Sequence, residues 1–98
     1  PAEIENALLE HEAISEIAIV GIPDEKWGEQ VACFMRGNSK PRPTDAELKT
    51  FIRERLSPQK TPTYWIWVDE WPLTGSGKIQ RFKLAEAFEQ GAYTDQVE

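Results

Sequence analysis

A small, compact α+β domain, with roughly three strands (a hairpin plus a third strand) packed with about three helices, is predicted from three features of this 98-residue chain. Apolar residues recur at helical spacing near the start and again in the middle. Two apolar runs, 17–22 and 31–35, lie either side of a turn at Pro23 and Asp24, as in a hairpin. A third run, 64–68, alternates tryptophan with other apolar residues, the period of a strand. The resulting order is helix, strand, strand, helix, strand, loop, helix, with no repeat or low-complexity segment.

Each element has its own local cause. Pro1, Glu3 and Glu5 make a favourable first helical turn, through fixed proline geometry and negative charge at the positive end of the helix dipole. Ile4, Ala7 and Leu8 then share a face. Residues 17–22 are continuously apolar, so that strand is expected to be buried on both sides, with 31–35 as its partner. The second helix carries Leu48, Phe51, Ile52 and Leu56 on one face, and Thr44 with Glu47 forms a capping box that satisfies two amides at its start. Pro58 and Pro62 punctuate the chain before the third strand. In that strand Trp65 and Trp67 fall on one side, and Tyr64, Ile66 and Val68 on the other. The tryptophans read as core or interface packing, with one tryptophan face available to dock on a partner domain. Residues 91–98 read as a frayed tail.

Composition limits the function classes. One domain of this size holds a modest core and is small for a ligand cleft of its own. A formal net charge of −6 argues against a nucleic-acid surface, which needs clustered Lys and Arg. No apolar run approaches the ~20 residues of a membrane span. A lone Cys33 excludes an internal disulfide and fits a cytoplasmic, reducing compartment. One His and one Cys do not make a zinc site, and the carboxylates lack calcium-loop spacing, so no metal site is expected. Ser76 with His11 as base lacks a nucleophile elbow, and Asp69 and Glu70 are adjacent strand-end charges pointing apart. The absence of an initiator Met and a start at a helix predict a natural protein that extends upstream.

The chemistry concentrates in Pro72-Leu73-Thr74-Gly75-Ser76-Gly77-Lys78-Ile79-Gln80-Arg81. Its glycines permit a tight loop with unusual backbone conformations, and Lys78 projects from the rim just before a helix. An ammonium on a flexible stem suits phosphate or carboxylate oxygens. The run is not a phosphate-cradling P-loop: Pro72 stands in place of the first glycine and Ile79 in place of the metal-binding hydroxyl. Lys78 is therefore either an ordinary loop lysine or a charge delivered to a ligand held elsewhere. Arg81 and Lys83 add a basic knot that either faces phosphates or is a solvated helix start.

The same run, extended through Phe82-Lys83-Leu84, resembles the last motif of the adenylate-forming superfamily of acyl-CoA synthetases, peptide-synthetase adenylation domains and luciferases. Pro1-Ala2-Glu3-Ile4-Glu5 resembles the helix start after that family's hinge, and the run from Ala18 to Glu29 resembles its next strand and turn. The resemblance implies a C-terminal lid domain spanning residues 1–98, whose partner is an upstream domain of the same chain that binds ATP, Mg2+ and a carboxylic acid. It implies adenylation of the acid, rotation of the lid, then thioester formation with coenzyme A. Lys78 matches the adenylation lysine, supported by Thr74, Gly75, Ser76 and Gly77. Its charge would be erased by acylation, a route to regulation.

Ser76, Gln80 and Phe82 depart from the peptide-synthetase pattern and point to a CoA ligase of the fatty-acyl or aryl-acid kind. Trp27 matches a position where some CoA ligases pack an aromatic on the CoA nucleotide; its other reading is a turn residue sealing the hairpin. Lys60 matches one of the basic CoA contacts of relatives, whereas Gln59, Thr61 and Thr63 do not. Two alternatives stand beside this reading: a stand-alone adaptor binding through its tryptophans, and an adenylation domain serving a carrier-protein thiol.

Overall fold

The computed structural model describes residues 2–96 except 25, 27 and 57–61. Helix α1 (Ala2–Leu9) carries Glu3 and Glu5 in its first turn and buries Ile4, Ala7 and Leu8. It stops where the His11 amide returns to the Leu8 carbonyl at 2.9 Å and His11 Nδ1 accepts the Ala13 amide at 3.1 Å. That turn feeds strand β1 (Ile14–Asp24), antiparallel to β2 (Gly28–Gly37) with Gly21 opposite Val31. Helix α2 (Asp45–Arg53) follows, then β3 (Tyr64–Trp67), α3 (Arg81–Glu89) and a 3-10 turn at Thr94–Gln96.

The sheet order is β1-β2-β3, with β3 parallel to the central β2. A parallel pair needs a crossover, and α2 is that crossover. Period-two alternation then gives the sheet two buried faces. On one, Ile17, Cys33, Met35 and Trp65 meet Ile4, Ala7 and Leu8 of α1 and Leu48 and Ile52 of α2. On the other, Ala18, Val20, Ile22, Phe34, Ile66 and Val68 lie with Trp71 and with Leu84 of α3. Covering on both sides explains why 17–22 is almost continuously apolar. The two-faced burial and the capping box are therefore as expected: the Glu47 amide donates to Thr44 Oγ1 at 3.2 Å and Glu47 Oε1 accepts the Thr44 amide at 3.0 Å.

β1 runs from residue 14, earlier than the apolar run suggests, through an irregularity between Ile14 and Glu16. Ser15 lies in it, its hydroxyl reaching the Arg36 and Gly37 carbonyls at 3.1 Å each. The extra residue resets the alternation, so that Ile14 and Ile17 join the same core. Cys33 is fully buried, and desolvation, with the Glu5 carboxylate adding to it, raises its thiol well above the ordinary value. Such a thiol stays protonated and unreactive.

Trp65 is 2% exposed and belongs to the core beneath α1 and α2, while Trp67 is half-buried, with the Arg42 guanidinium 5.1 Å from its ring centroid. Trp65 and Trp67 thus pack internally, as the core reading expects. In the tail, Thr94–Gln96 form the 3-10 turn, and Gln96 is hydrogen-bonded to β3. The Trp67 amide donates to Gln96 Oε1 at 2.8 Å, and Gln96 Nε2 donates to the Trp67 carbonyl at 2.9 Å. Tyr93 sets its ring edge-on to Phe34, 5.5 Å between centroids, and burial raises its phenol pKa. The physical reason is that β3 is an edge strand, and a carboxamide can pair with its free backbone groups as another strand would.

Candidate functional site

The lysine loop is a small hairpin grafted between β3 and α3. Leu73 pairs antiparallel with Ile79. The Thr74 amide donates to the Lys78 carbonyl at 2.8 Å, the Gly77 amide to the Thr74 carbonyl at 2.9 Å, and the Gln80 amide to the Pro72 carbonyl at 2.7 Å. Gly77 has φ +85°. A turn over 74–77 followed by a left-handed glycine is the geometry of a three-residue hairpin loop with a bulge. Gly77 is thus required by conformation. Gly75 is not: its φ is not positive, and a Cβ built there would meet nothing within 4 Å.

The hydroxyls hold the loop from within. Thr74 Oγ1 accepts the Lys78 amide at 3.1 Å and lies 3.0 Å from Ser76 Oγ. These contacts fix the backbone on both sides of Lys78 while leaving its side chain exposed. Among the described residues no carboxylate pairs with the Lys78 ammonium. His11 is elsewhere, edge-on to Phe51 with centroids 5.0 Å apart, and makes no hydrogen bond to Ser76. The Ser76–His11 pairing has no structural basis.

Gln80 is the residue that sequence reasoning undervalued. It occupies the N-cap of α3 without making a side-chain cap, and its Nε2 instead donates to the Leu73 carbonyl at 3.3 Å. Its Oε1 is buried without a hydrogen-bond partner among the described residues. Gln80 therefore locks the hairpin to the helix through backbone and side chain together. A glutamine in place of the usual Ser, Thr, Asp or Asn at a helix start was the available signal. The first turn of α3 holds no acidic residue, so the positive end of its dipole is left without a compensating carboxylate from that turn. Arg81 pairs with Glu5 of α1 at 3.9 Å, which makes one of the three basic residues a link between helices. Lys78 and Lys83 remain as exposed positive charge in a chain of net −6.

The hairpin presents Lys78 to open surface. A groove of about 720 Å³ exists, but it lies between the start of α2, β3 and the 3-10 turn, with Asp45, Lys49, Tyr64, Trp65 and Asp95 among its lining. None of the loop residues lines it, and its two aspartates disfavour phosphates. Trp27 and Lys60 lie outside the described residues. Among the described residues no group of three or more His, Cys, Asp or Glu is arranged to hold a metal, and no helix is long and apolar enough to cross a membrane.

Residues 3–78 match the family described as the AMP-binding enzyme C-terminal domain, a span that ends on Lys78. The chain is 42% identical over 90 residues to the mitochondrial medium-chain acyl-CoA ligase ACSF2 of Mus musculus, covering 92% of this chain and 15% of that protein. It resembles the crystal structure of a Brucella canis acyl-CoA synthetase with a TM-score of 0.82 and 37% identity, over 94% of this chain and 18% of that one. It also resembles the o-succinylbenzoate CoA synthetase of Bacillus subtilis solved with its acyl-adenylate intermediate, with a TM-score of 0.76 and 34% identity, over 86% of this chain and 17% of that one. The chain therefore spans less than a fifth of the length of these relatives.

Proposed function

Because the chain belongs to the AMP-binding enzyme C-terminal domain family, we propose that it is the C-terminal lid of an ATP-dependent, AMP-forming acid:CoA ligase in which Lys78 serves the adenylation step. In that step the acid carboxylate attacks the α-phosphorus of ATP, pyrophosphate leaves, and an acyl-adenylate forms. In the next, the CoA thiol displaces AMP. One observation carries the assignment of Lys78: an exposed ammonium, unpaired among the described residues, stands on a rigid hairpin at a helix start with no carboxylate in its first turn. A positive charge held in this way can neutralise oxygens that gain charge in the transition state without reorganising first. Because the loop faces outward, its ligand must be held by the remainder of the enzyme, which carries the ATP, acid and Mg2+ sites. The isolated domain is then inactive.

Rotation of the lid between the steps follows from the need to clear Lys78 from the site before a thiol enters. Trp27 and Lys60 are the candidate CoA contacts of the second position. A fatty or aryl acid is the substrate class, and a cytoplasmic setting belongs to the same reading. The test is Lys78→Ala in the full-length enzyme, with adenylate formation measured apart from thioester formation on supplied acyl-adenylate. Adenylation falls by about 10²–10³, the usual loss on removing a preorganised charge-stabilising donor, while thioester formation survives. Retention of both steps would reduce Lys78 to a surface lysine.

A further inference from the structure

Two of the large apolar side chains most exposed to solvent among the described residues bracket the lysine hairpin: Leu73 at 52% and Phe82 at 61%. A single exposed apolar residue needs no explanation. Here both lie on one rigid unit. The Leu73 to Ile79 bridge and three further residues of chain hold the Cα atoms of Leu73 and Phe82 within about 15 Å of each other. Ile79, the bridge partner of Leu73, packs against the core, whereas Leu73 does not. The fold thus spends its apolar contacts on one arm of the hairpin and leaves the other arm and the helix start uncovered, on either side of Lys78.

We infer that Leu73 and Phe82 are the apolar anchors that seat this domain on the remainder of the enzyme when Lys78 reaches its ligand. The inference rests on the reading of Lys78 given above. Its occupant is that remainder, because the chain covers only 15% of a relative such as the mouse ligase. A lysine on a long flexible stem stabilises charge well only if its loop is held to within about 0.5 Å of the productive position. Charge alone does not supply that hold in water, where ion pairs are weak. Burial of two apolar side chains on the rigid unit that carries Lys78 supplies it. Two anchors also suit a contact that must release, since a few central residues dominate small interfaces. Leu73 and Phe82 are positioning residues: they touch the opposing surface and act through Lys78.

The experiment uses the full-length enzyme with Leu73→Ser, Phe82→Ser, the double variant and Phe82→Leu. Pyrophosphate release in a single turnover reads adenylation, and supplied acyl-adenylate with CoA reads thioester formation. The double variant slows adenylation about 10- to 100-fold, the loss expected when two interface anchors are truncated, and Phe82→Leu recovers most of it. Thioester formation stays within about twofold and Tm within about 2 °C, because neither side chain supports the core. Normal adenylation in the double variant, alongside its loss in Lys78→Ala, would overturn the inference and leave the role of Lys78 intact. Normal adenylation in Lys78→Ala would overturn both. Equal slowing of the two steps, or a clear fall in Tm, would show a structural role and overturn the anchoring role alone.

Discussion

Replacing each loop glycine by alanine separates two residues that look alike in sequence. Gly77 has φ +85° and open space where a Cβ would be, so Gly77→Ala meets no neighbour and is penalised by backbone conformation alone. Placing an L-residue in the left-handed region costs about 1–2 kcal/mol, offset by about 0.4–1 kcal/mol because alanine restricts the unfolded chain. The net ranges from about zero to a destabilisation of about 1.6 kcal/mol. Gly75 has the same open space without the positive φ, so Gly75→Ala keeps only the favourable part and stabilises by about 0.4–1 kcal/mol. At about 4–8 °C of Tm for each kcal/mol in a domain of this size, the two variants melt on the order of 5–15 °C apart. Differential scanning calorimetry of the 98-residue chain reads the difference, and Gly77→Asn, which tolerates the left-handed region, falls between them. Equal melting of the two alanine variants would refute the bulged hairpin and the rigid presentation of Lys78 that depends on it.

Gln96→Ala removes both hydrogen bonds that close the edge of β3, leaving the half-buried Trp67 amide and carbonyl without their partner. A loss of about 1–3 kcal/mol is expected, measured as a lower urea midpoint, and Gln96→Glu, which keeps the acceptor but not the donor, does not restore it. Glu47 has its carboxyl pKa lowered, first by the Thr44 backbone amide and then by the Thr44 hydroxyl. A depressed folded pKa contributes stability that is present above the unfolded value and disappears as pH falls through the folded one. The wild-type protein therefore loses more stability than Glu47→Gln on acidification below the ordinary glutamate range, and parallel loss in the two proteins would contradict the capping box as its source.

Local chemistry was readable in the sequence, while distant pairings were not. Thr44 and Glu47 lie three residues apart and need only each other, so their capping box follows from residue type and spacing. Trp65 and Trp67 fall on one side of β3 because alternation is a property of any strand. Their packing was expected from their size and alternation, but which elements cover them was not legible, since α1 and α2 arrive from elsewhere. The parallel sense of β2 and β3 was also hidden, because an apolar run records that a strand is buried and not which way its neighbour points. Gln96 pairs with a residue 29 positions earlier, and no local pattern marks a glutamine as a substitute strand. At the site, the position and freedom of Lys78 were legible from its glycines and the following helix. The difference between Gly75 and Gly77 was not, because only the paired arms of the hairpin decide which one must be left-handed.

The bond between Gln96 and Trp67 also bears on synthesis. A ribosome releases β3 well before residue 96, so the free edge of that strand is exposed on the nascent chain until almost the whole domain has emerged. In that interval the outer edge of Tyr64–Trp67, a short aromatic segment, is open to pairing with a neighbouring chain on the same message. A pause in translation downstream of β3 would lengthen that exposure.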